Sequence, residues 1–232
     1  MIGINTFTLK MIALIAMLCD HMGHAFFPEF VVLRIIGRIA YPIFAYVLVE
    51  GFFYTRDVKK YMLRLGILAV ISEIPFDLMA SQNILEFSHQ NVFFTLFFGV
   101  LAMYMMSRTV NPILQLSYAG IAMILAEILK VDYRHYGIII ILWFYYWRTN
   151  KWMKCLGIAA IMILLRGWNG FFAAFALVLI FFYNGKRGPR CKWFFYIFYL
   201  LHLPLLELLK ICLENKKENI WGNMKKYAKS LY

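Results

Sequence analysis

Apolar stretches follow one another along almost the whole chain, with only short polar or turn-forming segments between them. A helix needs about 20 apolar residues to cross the hydrocarbon core of a bilayer, with about 17 as a practical minimum. Several stretches are shorter than this, so we expect an all-α, polytopic transmembrane bundle of about 8 to 10 membrane helices. The stretches lie near residues 9–27, 31–53, 61–80, 91–107, 112–129, 135–147, 152–166, 169–183 and 193–210.

The composition excludes a soluble domain with a single core. Hydrophobic residues make up 63% of the 232 positions, and charged residues only 16%. We expect no cleavable signal peptide, because the first apolar stretch leads into further ones and no small-residue cleavage site follows it. Residues 1–210 should form one transmembrane helical bundle domain, and residues 211–232 a basic tail.

Positive charge is concentrated in alternate loops between the apolar stretches. The net charge of +12 is better explained by membrane topology and anionic headgroups than by nucleic acid, which we do not expect as a partner. Loops rich in Lys and Arg face the cytoplasm, so the pattern predicts a multi-pass protein of the cell (plasma or inner) membrane with a cytoplasmic N-terminus. The basic loops contain Arg56, Lys59, Lys60, Arg64, Arg108, Arg148, Lys151, Lys154, Lys186, Arg187, Arg190 and Lys192.

The basic tail conflicts with this topology, because a complete ninth crossing would place it outside the cell. Either the count of crossings is wrong by one, or Pro204 interrupts the ninth stretch, since proline removes a backbone donor and clashes with the preceding helical turn. The four cysteines, Cys19, Cys155, Cys191 and Cys212, are scattered without CxxC spacing. We therefore expect neither a disulfide framework nor a metal site.

Asp20 and His21 are the most informative polar residues, because they interrupt the first apolar stretch. A charge in hydrocarbon costs at least about 2.5 kcal/mol and is usually paired, faces a cavity and is functional. With the N-terminus inside, several polar side chains fall at one depth in the outer half, which predicts a single polar cavity open to the outside. Mutual compensation of buried charges is the structural alternative, above all for Glu73 and Asp77. The set comprises Asp20, His21, His24, Arg34, Arg38, Glu73, Asp77 and Asn91, with residues 132–135 and 166–169 at two outer turns.

Histidine can exchange a proton near neutral pH and can also carry an acyl group. Asp20 and His21 are neighbours on a helix and point about 100° apart, so Asp20 is expected to pair with Arg34 or Arg38 instead. His24, at i+3 from His21, is a candidate second proton carrier.

An ordered set of short motifs resembles the TraX family, named for the pilin N-acetylase of conjugative plasmids. The motifs are K…DH, with Lys10 and residues 20–21, GR at 37–38, YP at 41–42, EG at 50–51, IPFD at 74–77 and N..FTL at 91–96, with Arg64 in Y..RL. The segment around His202 is also similar to the C-terminal helix of a broader group of transmembrane acyltransferases. The resemblance implies transfer of an acetyl group from acetyl-CoA to an amine or hydroxyl of a membrane-associated or extracytoplasmic acceptor. In the founding members this is the pilin N-terminus; a pilin-like peptide, a glycan and a lipid-linked acceptor all stay open here.

The resulting hypothesis gives each group of residues a role. His21 is the base or acyl carrier, Asp20 orients it, and Arg38 stabilises the oxyanion. The phosphates of CoA are held by Arg56, Lys59, Lys60 and Arg64. A supporting polar cluster consists of His24, Arg34, Glu73, Asp77, Asn91 and His202.

Two other classes compete with the acyltransferase. Intramembrane charges also mark the pathways of small-solute or proton-coupled transporters. Such carriers often contain internal repeats or paired broken helices, and the two halves of this sequence have no convincing similarity. A membrane scaffold is the third alternative, but it would not require a buried charged cluster.

Overall fold

The chain folds into ten α-helices in a computed structural model that describes residues 3–81, 86–189 and 191–229. The all-α class predicted from the sequence is confirmed. The helices are α1 (Thr6–Ala25), α2 (Val31–Gly37), α3 (Ala40–Tyr54), α4 (Val58–Ser81), α5 (Val92–Met106), α6 (Pro112–Ile128), α7 (Arg134–Tyr146), α8 (Lys151–Ala174), α9 (Ala176–Phe181) and α10 (Lys192–Lys229). Arg190, which the sequence places in a basic loop, lies outside the described residues.

Four helical stretches in the described residues are long and apolar enough to cross a membrane: Thr6–Ala25, Val31–Tyr54, Lys151–Ala174 and Trp193–Leu213. Two more apolar helices, Val92–Met106 and Pro112–Ile128, are shorter. Large apolar side chains are exposed along the bundle, as expected where lipid replaces water as the solvent. They include Val110, Ile113, Leu116, Leu164 and Trp168.

Helix α3 forms the centre of the bundle. Eleven of its fifteen residues are buried, and it packs against α1, α5, α7, α8 and α9. Helix α2 precedes it as a separate short helix, because the backbone turns at Arg38 and Ile39. Gly37, the last residue of α2, packs directly against α1, and a Cβ atom on Gly37 would overlap the Cβ of Asp20. The second apolar stretch of the sequence is therefore two helices, with Arg34 in the first and Arg38 at their junction.

The turn expected near residues 166–167 is present within α8. Gly167 has φ +53° and ψ −129°, a combination that a residue with a Cβ does not readily adopt. The chain reverses there, so that a Cβ on Gly170 would overlap the carbonyl of Met162. Helix α8 thus consists of two arms, and the second arm continues into α9.

Pro204 does not interrupt the last helix. Helix α10 is continuous from Lys192 to Lys229 with Pro204 inside it, so the break considered for the ninth apolar stretch is absent. The expected boundary between bundle and tail at residue 210 is not marked by a helix end.

Candidate active site

Two histidines from opposite ends of the chain meet inside the bundle. His21 on α1 and His202 on α10 are 2.9 Å apart, measured from Nδ1 of His21 to Nε2 of His202. Their rings are nearly parallel, with an interplanar angle of 11° and centroids 5.0 Å apart. His202 is 4% exposed, and its ring also lies nearly parallel to that of Phe198. We call His21 and His202 the histidine pair.

Asp20 is bonded to Arg34, not to a histidine. Arg34 Nη1 lies 3.0 Å from Asp20 Oδ2, joining α2 to α1. Of the two arginines considered from the sequence, Arg34 is therefore the partner, while Arg38 lies at the junction after α2. The hypothesis that Asp20 orients His21 needs correction, because the hydrogen bond of the His21 ring goes to His202.

A cavity of about 720 Å³ enters the bundle from the end at which α1 begins. Thr6, Lys10, Leu14 and Met17 line it along one face of α1, a rise of about 16 Å over eleven residues. We call Lys10, Arg56, Arg64 and Arg187, which line it near that end, the basic mouth. Further in, the wall is apolar and aromatic, with Phe93, Leu96, Phe198 and Tyr199.

The far wall of this cavity adjoins the histidine pair. Met17 lines the cavity one helical turn before His21, and Phe198 lines it one turn before His202. The expected cavity was polar and open at the opposite end, lined by the charged cluster. The cavity described above, which we call the main cavity, is instead largely apolar and begins at the end predicted to face the cytoplasm. Among the predicted site residues, only Arg56 and Arg64 line it.

Two members of the basic mouth were not among the predicted site residues. Arg187 is held beside α1 because the first N–H groups of that helix, on Thr6 and Phe7, donate to the carbonyls of Lys186 and Arg187. Lys10 had a recognisable signal, since it precedes His21 by eleven residues and so shares its helix face about three turns away. Lys59 and Lys60 were predicted at the mouth, but both are exposed and neither lines the cavity. Lys60 pairs with Asp57 at 3.5 Å.

The acidic pair on α4 holds the loop before α5. Glu73 Oε2 accepts hydrogen bonds from the backbone and side-chain amides of Asn91, and Asp77 Oδ2 accepts from the backbone of Glu86 at 2.8 Å. Asn91 is fully buried, also donates to the carbonyl of Ala69, and caps α5. These contacts favour the structural alternative for Glu73 and Asp77 and give Asn91 the same role. His24 is exposed on α1, whereas His21 is partly buried, so the two histidines lie in different environments.

Asp132 lies in the loop between α6 and α7, where its carboxyl interacts with the charges of Asp20, Arg166 and Arg38. Burial raises the pKa of its carboxyl to about 7, against the opposing effect of a hydrogen bond from the Tyr133 backbone N–H. His89 Nε2 lies 3.7 Å from Asp132 Oδ1, and burial lowers the pKa of that imidazole. Backbone pairing of Gln90 with Val131 holds the loop in place. This end of the bundle therefore contains a carboxyl, that of Asp132, whose pKa is about 7.

A comparison against protein families agrees with the motifs in the sequence. The sequence pattern of the family described as TraX protein matches residues 6–210. The chain belongs to the TraX family. It is 31% identical to the probable fimbrial assembly protein FimC, serogroup H1, of Dichelobacter nodosus, over 92% of this chain and 98% of that protein. It is 30% identical to the uncharacterized protein RP591 of Rickettsia prowazekii (strain Madrid E), over 67% of this chain and 52% of that protein. No solved structure gives a significant match.

In this TraX protein, the adjacent residues of the DH motif have separate partners. Asp20 binds Arg34 and fastens α2 to α1, while Gly37 of the GR motif allows that close contact. His21 faces His202 at the end of the main cavity. Glu50 of the EG motif lines the cavity and binds Arg148 at 2.7 Å. The chain is an integral membrane protein in which several motif residues, among them Glu50, Gly51 and Arg64, line the cavity.

Proposed function

We propose that this TraX protein is an acetyltransferase that moves an acetyl group from acetyl-CoA to an amine or hydroxyl of a membrane-associated acceptor. The observation that carries the proposal is the main cavity, which has cationic side chains at one end and the histidine pair beyond the other. This arrangement suits a donor with a phosphorylated head and a reactive thioester at the tip of a long arm.

The basic mouth would hold the phosphates of the donor. Lys and Arg bind phosphate through charge-assisted hydrogen bonds, and four of them line this end of the cavity. Glu50 is the one carboxylate among the described lining residues, and Arg148 already neutralises it. The local field therefore favours an anion, while the apolar wall between Leu14 and Tyr199 accommodates an uncharged arm.

His21 would act as the general base or as the acyl carrier. A histidine close to the end of the cavity can remove a proton from an attacking amine or hydroxyl, or attack the thioester itself. The cavity would bring the acetyl group about 16 Å into the bundle, toward an acceptor held on the opposite side or within the membrane. Arg38 remains a proposed oxyanion stabiliser, and the cell membrane with a cytoplasmic N-terminus remains the proposed location.

The acceptor we favour is the N-terminal amine of a pilin-like subunit. The support comes from the family resemblance and from the similarity to a protein named as a probable fimbrial assembly protein. Glycan and lipid-linked acceptors are compared with it in the test.

The test is acetyl transfer by the purified protein in nanodiscs from radiolabelled acetyl-CoA. Peptides with free or blocked N-terminal amines, an amino sugar and an aminophospholipid serve as acceptors. We expect the wild type to label the free amine, His21→Ala to lose transfer, and His24→Ala to retain it, because His24 is an exposed histidine on the same helix. A fully active His21→Ala variant would overturn the assignment of His21. Absence of both acetyl-CoA binding and transfer in the wild type would overturn the proposed function.

A further inference from the structure

The hydrogen bonds around the histidine pair determine where its protons lie. His202 Nδ1 is 3.0 Å from the carbonyl oxygen of Phe198 and 2.8 Å from that of Tyr199. A carbonyl oxygen can only accept, so Nδ1 of His202 must carry a hydrogen. A neutral imidazole has one N–H group, which leaves Nε2 of His202 as an acceptor.

The proton position on His202 also determines the tautomer of His21. Its Nδ1 atom lies 2.9 Å from the acceptor nitrogen of His202, so Nδ1 of His21 must be the donor. The remaining nitrogen of His21, Nε2, then carries the lone pair. The order of hydrogen bonds runs from His21 through His202 to two backbone carbonyls of α10.

We propose that His202 is a positioning residue that fixes the tautomer and orientation of His21, so that Nε2 of His21 is the base or nucleophile. The proposal rests on the proposed acetyltransferase function. It gives His202 the role that the sequence hypothesis assigned to Asp20, whose carboxylate is bonded to Arg34. The buried ring of His202 suits this role, since it is held by two carbonyls and by the parallel ring of Phe198.

Acetyl transfer to an amine acceptor uses Nε2 of His21 as the proton acceptor. The amine nitrogen bonds to the thioester carbonyl carbon, the carbon–sulfur bond breaks, and the amine proton passes to Nε2 of His21. The leaving thiolate then takes that proton. While His21 is protonated, its Nδ1–H stays bonded to His202, so the imidazolium keeps one hydrogen-bond partner throughout. If His21 is acetylated instead, the lone pair on Nε2 forms the new N–C bond as the carbon–sulfur bond breaks. The acceptor amine then bonds to the acetyl carbon, the bond from that carbon to Nε2 breaks, and the thiolate takes the amine proton.

Two substitutions at one position separate positioning from packing. His202→Phe retains an aromatic ring beside Phe198 but removes the acceptor for His21. His202→Gln retains an acceptor oxygen. We expect His202→Phe to lower kcat by about 10²-fold or more with little change in KM for acetyl-CoA, and His202→Gln to recover much of the loss. Thermal midpoints of both variants are measured to confirm folding. Wild-type kcat in a folded His202→Phe variant would overturn the proposal.

A second measurement does not depend on turnover. In protein labelled with ¹⁵N-histidine, the structure predicts a protonated Nδ1 and an unprotonated Nε2 for His21, with signals assigned through His21→Ala. In His202→Phe, we expect His21 to become a mixture of tautomers. An unchanged His21 tautomer in that variant would contradict the positioning role even if the protein transferred no acetyl group, whereas an inactive wild type with the expected signals would count against the proposed function alone.

Discussion

At the scale of single residues, neighbours in sequence have different tasks because a helix turns by about 100° at each residue. Asp20 faces α2 and binds Arg34, while His21 faces α10 and meets His202. Gly37 is essential to the first contact, because its lack of a side chain brings the α2 backbone onto Asp20. The single DH motif therefore joins a structural ion pair to the imidazole that we propose is reactive.

We expect Gly37→Ala to destabilise the protein by about 1–3 kcal/mol, since the added methyl group would overlap the Cβ of Asp20. The measurement is the thermal midpoint in detergent, followed by tryptophan fluorescence. Gly66→Ala is a suitable comparison, because a Cβ there would be 3.4 Å from the flexible ring of Phe97. Equal midpoints for the two variants would contradict the packing argument.

Asp132 should make stability depend on pH near neutrality. Its folded-state pKa of about 7 is above the ordinary value, so the folded protein binds this proton more tightly than the unfolded chain does. The free energy of unfolding should therefore fall as pH rises from about 4 to about 7 and then level off. Asp132→Asn should flatten this part of the profile. Asp57→Asn should leave it intact, because the backbone N–H of Lys60 lowers the pKa of the exposed Asp57 carboxyl. Identical profiles for wild type and Asp132→Asn would refute the role of Asp132.

At the scale of elements, chain reversals and capping decide how apolar stretches become helices. The reversal at Gly167 divides α8 into two packed arms, and an apolar stretch lies on each side of the short polar segment 166–169. Pro204 has the opposite outcome, since α10 continues through it. Proline and glycine in an apolar sequence thus mark candidate breaks, and the surrounding contacts decide which of them is used.

Gly167→Ala should cost about 1–3 kcal/mol, because alanine is strained at φ +53° and ψ −129°. Gly120→Ala is the matched control, since Gly120 lies inside α6 with nothing within 4 Å of an added Cβ. In a regular helix, alanine is favoured over glycine by up to about 1 kcal/mol, so this variant should be neutral or stabilised. The check is thermal unfolding of both purified variants. A Gly167→Ala variant as stable as Gly120→Ala would contradict the strained turn.

At the scale of the whole molecule, the site is assembled from segments distant in sequence. The basic mouth takes Lys10 from α1, Arg56 from the loop after α3, Arg64 from α4 and Arg187 from the loop after α9. The histidine pair joins residues 181 positions apart. Only the packing of α1, α3, α4 and α10 around one cavity brings these groups to its two ends.

If the mouth binds donor phosphates, Arg64→Ala should raise KM for acetyl-CoA about 10-fold or more, because each charge-assisted hydrogen bond contributes about 1.5–3 kcal/mol. Lys59→Ala is the control, since Lys59 is exposed on the same helix and does not line the cavity. A short acetyl thioester without nucleotide phosphates should be used equally well by both variants. An Arg64→Ala effect of the same size on this truncated donor would show that the arginine does not act through phosphate.

The fold class and part of the site could be predicted, and particular residues show why. His21 was recognisable because an ionisable group in hydrocarbon is energetically costly and is usually functional. Arg56 and Arg64 were recognisable because positive charge marks the cytoplasmic side of the membrane. The functional reading of Glu73 and Asp77 could not be decided from the sequence, since the same carboxylates suit a catalytic cluster or the support of a loop. The contacts with Asn91 and Glu86 favour support.

The sequence by itself determined the class of protein and the approximate apolar stretches, and it indicated His21 as the candidate histidine, because hydrophobicity and burial cost act on each segment independently of its neighbours. Tertiary structure alone decided that His202, and not Asp20, contacts His21, and that the main cavity begins at the basic end. The physical reason is that apolar helices carry little information about which faces meet. Partners are selected by close packing, such as Gly37 against Asp20, and by hydrogen bonds between groups far apart in the chain.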